Sequence, residues 1–467
     1  MDFLVTRKGE GGSFITPSGP TPCGSVLDLS VIDSLAVLRC NARTLHVFNG
    51  GSATVIRRAF AKALVPYYPL AGRLKLSPHN NQLLQIDCSA QGIWFIEASA
   101  DCTLCDVNNL DEASALDDTT FDKLLPPAAH DSFMDPLVLV QVTEFKCGGF
   151  VMGLTFCHSI CDGLGAAQFL KAVGEFARGV EKLSVAPVWC REYLLPSPSS
   201  EKGFADEIKD NSSMPPPLTI PVPDQPLEHA SFDIPMDEIN QLKHQVMQEL
   251  KMDQNVFCSS FEIIAATLWR HRIRAILNIT DNEKNPSNSS SNTSFITAAD
   301  DAGDEEVKLV FFANCRHLVP LPEGFYGNCF FPVTITASNK IVAQASLAEV
   351  VKLIKDAKAK LPAEFSQWLN NKTYKSTNDD QLNDPFAPGP GVGYDTLFIS
   401  EWGRLGFNEV DYGWGKPVHV IPVQGSAVIP VGIVSKQPLP KNGIRLMTWC
   451  VHSPHLPSFL NMMNRGS

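Results

Sequence analysis

The sequence predicts an α/β protein built from two domains of similar size. The chain has 467 residues, of which 44% are hydrophobic, enough for two separate cores. Segments with the apolar–polar alternation of strands are interspersed with segments whose apolar residues recur at helical spacing. A proline-rich stretch with no apolar period separates the two halves. We therefore predict domains at residues 1–189 and 227–467, joined by a long crossover linker at 190–226.

In the first half, the alternating pattern predicts strands and the 3.6-residue period predicts two helices. The predicted strands are 3–8, 43–49, 83–87, 93–98, 137–145 and 150–157, and the predicted helices are 53–64 and 164–178. A Gly-Gly turn joins the last two strands into a hairpin. The acidic stretch 101–117 is predicted to be a solvated loop.

The second half repeats this mixture of strands and helices. Ser259, followed three residues later by Glu262, is the signature of a capping box that opens an amphipathic helix. The Ser- and Asn-rich stretch 278–306 is predicted to be a disordered surface loop. The remaining predicted elements are a strand at 230–234, helices at 236–251 and 347–361, strands at 307–314 and 392–400, and alternating stretches at 417–434 and 443–451 that close a second sheet.

One histidine stands where a catalytic base would be well placed. His158 lies at the end of the predicted strand 150–157, immediately before the helix 164–178, and Asp162 and Gly163 follow it. A side chain at such a strand end can face a cleft while the packed elements hold it. A neutral imidazole accepts a proton near neutral pH, which makes His158 a candidate general base. A structural role for a buried histidine is the plainer alternative.

A second glycine-marked turn, Asp411-Tyr-Gly-Trp-Gly415, follows far downstream. The two motifs, in this order and spacing, resemble those of the BAHD acyl-CoA-dependent acyltransferases of plants, which carry His-x-x-x-Asp-Gly near mid-chain and Asp-Phe-Gly-Trp-Gly near the C-terminus. Tyr412 replaces the usual Phe. Further segments are similar to the family pattern, namely residues 68–73, 259–262, 269–270 and 320–329, so the resemblance covers almost the whole chain.

The resemblance implies two domains with the chloramphenicol-acetyltransferase fold and a channel at their interface. It also implies transfer of an acyl group from acyl-CoA, as a co-substrate, to an alcohol or amine, with His158 and Asp411 as the expected catalytic residues. Within that pair His158 is the base, whereas Asp411 organises its own turn outside the immediate chemistry. Asp162 is expected to turn away into an ion pair that fixes the loop, and it can cap the following helix as well.

The remaining site residues follow from the same resemblance. Gly163, Gly413 and Gly415 permit the backbone of the two turns, and Trp414 is either core packing, which we favour, or a wall of the CoA channel. The start of the helix at Ser259 and Ser260 is expected near the CoA, where free N–H groups suit a phosphate. A plain helix cap is the alternative for Ser259. Ser400 and Trp402 are expected at the acceptor site.

Charge and composition exclude several other classes of protein. The net charge of −12 and the pI of about 5.4 argue against binding to nucleic acid or to anionic membranes. The N-terminus lacks the pattern of a signal peptide, and no apolar run is long enough to cross a membrane. The 13 cysteines include one Cys-x-x-Cys pair, Cys102 and Cys105, and all of them are expected to be reduced. We predict a cytoplasmic monomer with no metal and no permanently bound cofactor.

The sequence thus predicts an O-acyltransferase that moves an acetyl, benzoyl or hydroxycinnamoyl group to a hydrophobic or aromatic alcohol. Residues 163–169, 20–24 and 29–33 resemble the family branch of the taxane, benzyl-alcohol and monolignol acyltransferases. Three alternatives stay open: an amine acceptor, a condensation-type domain of a peptide synthetase, and a non-catalytic relative that binds small molecules. The absence of a Gly-x-Ser-x-Gly elbow argues against a serine hydrolase.

Overall fold

The computed structural model describes residues 3–9, 11–77, 84–111, 118–127, 135–195, 225–251, 257–278, 304–374, 385–386, 393–423 and 429–465. Strands and helices alternate in both halves, so the α/β class predicted from the sequence is confirmed. The described strands are β1 (Val5–Arg7), β2 (Ser13–Ile15), β3 (Val26–Asp28), β4 (Asn41–Phe48), β5 (Arg73–Leu76), β6 (Leu84–Asp87), β7 (Ile93–Ala100), β8 (Val138–Glu144), β9 (Phe150–Cys157), β10 (Leu227–Pro235), β11 (Glu306–Asn314), β12 (Phe330–Ser338), β13 (Thr396–Glu401), β14 (His419–Pro422), β15 (Val431–Lys436) and β16 (Gly443–His452).

The α-helices pack against these strands. They are α1 (Ala53–Ala63), α2 (Asp118–Leu124), α3 (Gly163–Ala177), α4 (Met236–Glu249), α5 (Ser260–Ile276), α6 (Asn339–Gln344), α7 (Leu347–Tyr374) and α8 (Leu456–Arg465). Short 3-10 helices lie at Ala36–Leu38, Tyr68–Ala71, Cys105–Leu110, Glu192–Leu194, Arg316–Leu318, Phe407–Glu409 and Ser453–His455. Helix α7 is longer than the predicted 347–361, because it continues through Pro362. No helix in the described ranges is long and apolar enough to cross a membrane.

The first large sheet carries the strand that leads to His158. Its strands lie in the order β1-β7-β8-β9-β4-β14, and β2 also pairs with β7. The predicted hairpin is confirmed, because β8 and β9 are antiparallel neighbours with Glu144 opposite Phe150. β7 and β8 run parallel, so the sheet is mixed. Helices α1 and α3 cover one face, where Phe60, Phe95 and Phe169 form a dry aromatic core.

The second large sheet has the order β10-β16-β15-β13-β11-β12 and is also mixed, since β13 runs parallel to both β11 and β15. Helix α5 packs on it, and the side chain of Trp269 in this helix is fully buried. A smaller sheet, β3-β6-β5, completes the described strands. Each large sheet therefore has its own apolar core, which suits a protein with two α/β units.

The stretch 417–434 is divided between the two sheets, which the sequence did not predict. Strand β14 leaves the second half and pairs with β4 of the first sheet, with His419 opposite Val47. β15 stays in the second sheet, beside β13. Both strands are short and mostly buried, so the strand edge that each one meets decides which sheet it joins. The predicted domain limits stay a prediction, because most of the crossover, residues 196–224, lies outside the described residues.

The acidic stretch 101–117 contributes to an ion cluster and is not a purely solvated loop. Arg445 on β16 donates to a carboxylate oxygen of Asp111 at 2.7 Å and to both carboxylate oxygens of Asp233 at 2.7 Å. Lys441 contacts the same two carboxylates. The cluster joins this stretch to the second sheet, so part of its charge is structural. Residues 112–117 and 279–303, the latter within the predicted disordered loop 278–306, lie outside the described residues.

A buried histidine in the first sheet makes stability depend on pH. The His46 side chain is fully buried, its Nε2 is 2.8 Å from the hydroxyl of Thr44, and burial lowers the pKa of His46 from 6.5 to about 3. Between these two values the unfolded chain binds a proton that the folded protein does not. The free energy of unfolding should therefore fall with decreasing pH in this window, by up to about 1.4 kcal/mol per pH unit.

We expect His46→Gln to reduce this slope, measured by urea unfolding at several pH values below pH 6.5. His244→Gln on the exposed face of α4 serves as the control and should leave the slope unchanged. An identical slope in the wild type and in His46→Gln would contradict the assignment.

Candidate active site

His158 lies in the turn between β9 and α3, where the sequence predicted it. Its main-chain N–H donates to the carbonyl of Cys40 at 2.9 Å, and its own carbonyl accepts from the side-chain amide of Asn328 at 2.8 Å. The side chain is half-buried, and its ring lies 6.2 Å from that of Phe330 on β12 of the second sheet. The Nδ1 atom is buried and has no hydrogen-bond partner among the described residues, whereas Nε2 is not among the buried, unpartnered atoms. The imidazole thus stands where elements of both halves meet.

Asp162 holds the turn after His158 in two ways. One carboxylate oxygen accepts from the main-chain N–H of Gly165 at 3.0 Å and so caps helix α3. Arg316 reaches the carboxylate with both arms of its guanidinium, each at 2.8 Å. Burial alone would raise the pKa of Asp162, but the charge and the hydrogen bonds of Arg316 lower it below its usual value. The carboxylate is therefore ionised at neutral pH and links the turn to the second half.

This ion pair also fixes the segment around residue 328. Arg316 donates to the carbonyl of Gly327 at 2.7 Å, and the main-chain N–H of Cys329 donates to Asp162 at 3.3 Å. Gly163 starts α3 against Leu405, and a Cβ atom on this glycine would lie only 2.5 Å from a methyl carbon of Leu405. The turn after His158 is thus enclosed by segments that are distant in sequence.

The second motif forms a turn that Asp411 organises. One carboxylate oxygen accepts from the main-chain N–H groups of Gly413 and Gly415 at 2.7 and 3.0 Å, and both glycines have positive φ angles, +107° and +95°. A side chain at either glycine would be strained, which explains the residue choice. Trp414 is 41% exposed, so the preferred expectation of core packing is wrong. Tyr412, in contrast, is buried against Phe48.

The two motifs lie at opposite ends of one helix. Asp162 caps the start of α3, whereas Arg178, just after its end, donates to the main-chain carbonyl of Asp411. At 1.5 Å per residue, the 15 residues of α3 separate the two motifs by about 22 Å. Asp411 is therefore too far from His158 to share a hydrogen bond with it.

Ser400 and Trp402 contact each other at the end of β13. The indole N–H of Trp402 donates to the hydroxyl of Ser400 at 3.0 Å, and the indole ring stacks on Phe407 with centroids 5.9 Å apart. Trp402 is buried, whereas Ser400 is half-buried. The Ser400 oxygen accepts the hydrogen bond from the indole, so the hydroxyl proton of Ser400 can donate to a bound ligand.

Ser259 forms the capping box that the sequence predicted. Its hydroxyl accepts from the main-chain N–H of Glu262, and the Glu262 carboxylate accepts from the main-chain N–H of Ser259. Ser260 is the first residue of α5, and its side chain is buried. Lys355 and Lys358 on α7 reach the Glu262 carboxylate at 3.3 and 2.5 Å. Two cations therefore lie beside this helix start in a protein of net charge −12.

Sequence reasoning did not identify three buried polar residues around the His158 turn. Asn328 and Arg191 donate to its carbonyls, and Asp33 accepts from both of them. Asp33 lies in one of the segments that resemble the family, and Asn328 lies in another, but neither was recognised as part of the site. Arg191 lies at the start of the proline-rich crossover, where no pattern pointed to a buried charge. An Asp in an otherwise apolar segment was the one available signal.

An aromatic cluster of the second half reaches His158 through Phe330. Phe330 lies against Phe312 and Phe386, with ring centroids 5.3 and 6.1 Å apart. Phe312 is 47% exposed on β11, and Phe330 is half-buried, so the cluster is accessible from outside. Within the described ranges, no group of three or more His, Cys, Asp or Glu could hold a metal ion.

Comparison with known proteins gives relatives that align over nearly the whole chain. A rice protein (Oryza sativa subsp. japonica) named acyl transferase 4 is 38% identical, with 98% of each chain covered. A myricetin 3-O-glucosyl 1,2-rhamnoside 6'-O-caffeoyltransferase of Crocosmia x crocosmiiflora is 36% identical, with 99% of each covered. The 3'-N-debenzoyl-2'-deoxytaxol N-benzoyltransferase of Taxus canadensis is 34% identical, with 96% of this chain and 93% of that protein covered.

Solved structures share the fold. Vinorine synthase superposes with a TM-score of 0.65 at 19% identity, covering 99% of this chain and 98% of the other. F. sporotrichioides TRI101 complexed with coenzyme A and T-2 gives 0.64 at 13% identity, covering 94% and 97%. The first condensation domain of the calcium-dependent antibiotic synthetase gives 0.54 at 12% identity, covering 95% of each. These matches confirm the predicted fold of two chloramphenicol-acetyltransferase-like units.

The family assignment rests on both kinds of comparison. The model of the family described as "Transferase family" matches residues 9–434. The relatives above are more than 30% identical over most of their lengths, and both motifs recognised in the sequence lie inside the matched range. The chain therefore belongs to this Transferase family, and it is an acyltransferase of the BAHD type.

Proposed function

We propose that this protein transfers an acyl group from acyl-CoA to the hydroxyl of a hydrophobic or aromatic small molecule, with His158 as the general base. The observation that carries the proposal is the half-buried His158, fixed by its main chain where the two halves meet. A hydroxyl is a weak nucleophile at neutral pH, so a base must take its proton during attack on the thioester.

The chemistry needs no covalent acyl-enzyme. As the acceptor oxygen bonds to the thioester carbon, its proton moves to His158 and the carbonyl oxygen becomes an oxyanion. When that intermediate collapses, the C–S bond breaks and His158 returns the proton to the sulfur, which leaves as the thiol of CoA. Fixed donors must stabilise the oxyanion. We assign this role, or a hydrogen bond to the acceptor, to the free hydroxyl proton of Ser400, with Trp402 setting its direction.

The aromatic cluster beside His158 supports an aromatic group in the donor or the acceptor. Phe330, Phe312 and Phe386 contact one another edge to face and face to face. Planar rings pack favourably in such a setting, at about 0.5–1.5 kcal/mol per pair beyond buried area. A caffeoyltransferase and a benzoyltransferase among the relatives agree with this assignment.

We place the CoA phosphates near the start of α5. Ser259 and Ser260 mark the helix N-terminus, where the N–H of Ser259 already donates to Glu262. Lys355 and Lys358 both pair with the Glu262 carboxylate, which leaves one net positive charge beside this end of the helix. In a chain with an excess of acidic residues, a phosphate-bearing co-substrate requires such a local basic region. Structures of neighbours that hold coenzyme A support CoA as the co-substrate here.

The other sequence predictions belong to this proposal. Asp162 and Gly163 shape the turn after His158, and Asp411, Gly413 and Gly415 shape the turn at the far end of α3, with Trp414 exposed there. The two-domain division, the cytoplasmic location and the monomeric state remain predictions of the same kind.

A matrix of acyl-CoAs against plant alcohols and amines, read by mass spectrometry, tests the proposal. We expect esters from aromatic or hydrophobic alcohols, with release of one CoA thiol per ester formed. Amide products alone would favour the N-acyl alternative, for which the N-benzoyltransferase relative is the precedent. Activity with an acyl-carrier thioester but not with acyl-CoA would favour the condensation-type alternative, which shares the fold. CoA binding without transfer to any acceptor would favour a non-catalytic relative.

A further inference from the structure

Besides Asp162 and Arg316, three buried polar residues hold the main chain that carries His158. Asp33 and Asn328 have no exposed surface, and Arg191 is 1% exposed. They come from three separate regions: the N-terminal segment before β4, the start of the crossover and the second half before β12. Only the tertiary structure brings these three residues together.

Asp33 is the centre of this set. One carboxylate oxygen accepts from Nε of Arg191 at 2.7 Å and from the main-chain N–H of Ser30 at 3.2 Å. The other accepts from the main-chain N–H of Asn328 at 3.0 Å and from its side-chain amide at 2.7 Å. The carboxylate therefore fixes the guanidinium and the amide in space at the same time.

Both of these groups then donate to the turn. The amide Nδ2 of Asn328 donates to the carbonyl of His158 at 2.8 Å, and Nη2 of Arg191 donates to the carbonyl of Ile160 at 2.7 Å. The remaining arm of Arg191 donates to the carbonyl of Trp189 at 3.0 Å, and the guanidinium stacks on that indole. All three nitrogen atoms of the Arg191 guanidinium therefore donate hydrogen bonds. The main-chain carbonyls of His158 and Ile160, on either side of Ser159, each accept from a side chain that is itself held in place.

The Asp33–Arg191 ion pair lies next to the turn that carries His158, which indicates a role in catalysis more than in stability. A fully buried Asp–Arg pair is weak evidence for stability, because apolar residues of similar volume are often as stabilising. A catalytic base, in contrast, gains directly from fixed geometry, since a misplacement of 1 Å can cost about 10²-fold in rate. We propose that Asp33, Arg191 and Asn328 are positioning residues, which fix the position and orientation of the His158 imidazole. This inference rests on the proposed role of His158 as the base.

Asn328→Ala is the main test. It removes the donor to His158, while the main-chain N–H of residue 328 can still donate to Asp33. We expect kcat to fall by roughly 10- to 100-fold, with KM for acyl-CoA changed by less than about threefold. The matched control is Asn339→Ala, a buried asparagine at the start of α6, which should lower stability but leave kcat unchanged.

A double-mutant cycle separates positioning from a general structural defect. In a His158→Ala background there is no imidazole to place, so Asn328→Ala should cause no further loss of residual turnover. Arg191→Lys is the second variant and carries the test if Asn328→Ala does not fold. It keeps a positive charge beside Asp33 but lacks the guanidinium fork that also reaches Ile160, so we expect a similar loss of kcat.

The proposal is overturned if the folded variants keep kcat within about twofold of the wild type, or if they lower residual turnover equally in the His158→Ala background. This result is distinct from failure of the proposed function. If His158→Ala itself retains turnover, the base assignment fails. If His158→Ala is inactive and Asn328→Ala and Arg191→Lys are normal, only the positioning role fails.

Discussion

His158→Ala is expected to lower the rate of acyl transfer by about 10²–10⁴-fold, the usual contribution of a general base. The imidazole stands between the two halves, and its main chain is held by Cys40 and Asn328, so a truncation there removes the proton acceptor without removing a core contact. The loss should appear in kcat, measured by release of the CoA thiol. Binding of acyl-CoA, measured by calorimetry, should change little.

A histidine of similar exposure provides the control. His452 at the end of β16 is half-buried and stacks on Tyr394 with ring centroids 4.1 Å apart. His452→Ala should therefore affect stability more than turnover. Turnover of His158→Ala within a few-fold of the wild type would contradict the assignment of the base, whatever the behaviour of His452→Ala.

Arg316→Met is expected to lower the free energy of unfolding by about 3–5 kcal/mol, because it leaves the buried carboxylate of Asp162 without its countercharge. Turnover should fall as well, since Arg316 also holds the carbonyl of Gly327 next to Asn328. Urea unfolding and steady-state kinetics on the same preparation would measure both effects.

The effect of Arg316→Met should depend on pH in a defined direction. The pKa of Asp162 is lowered in the folded wild type, so its stabilising contribution is complete above the ordinary value of 3.8 and is lost as pH falls through the folded value. The difference in stability between the wild type and Arg316→Met should therefore shrink in acid. Lys416→Met, which breaks an exposed pair with Glu409, is the control and should change stability little. A pH-independent difference would contradict this assignment.

The structural details that the sequence predicted are those set by local chemistry. The hairpin before His158, the capping box at Ser259 and Glu262, and the cap of α3 by Asp162 each depend on residues a few positions apart. Such patterns are visible along the chain. The exposure of Trp414 was missed because the turn around it, not its own apolarity, determines whether the indole meets a neighbour.

What the sequence by itself determined was the α/β class, the family and the position of His158 between a strand and a helix. These depend on short-range periodicity and on motifs that are contiguous. The partner of Asp162, the strand β14 in the first sheet and the buried contacts of Asp33 and Arg191 were decided only by the tertiary structure. A buried charge takes whichever complementary group the fold brings within hydrogen-bonding distance, and that group can lie more than 100 residues away.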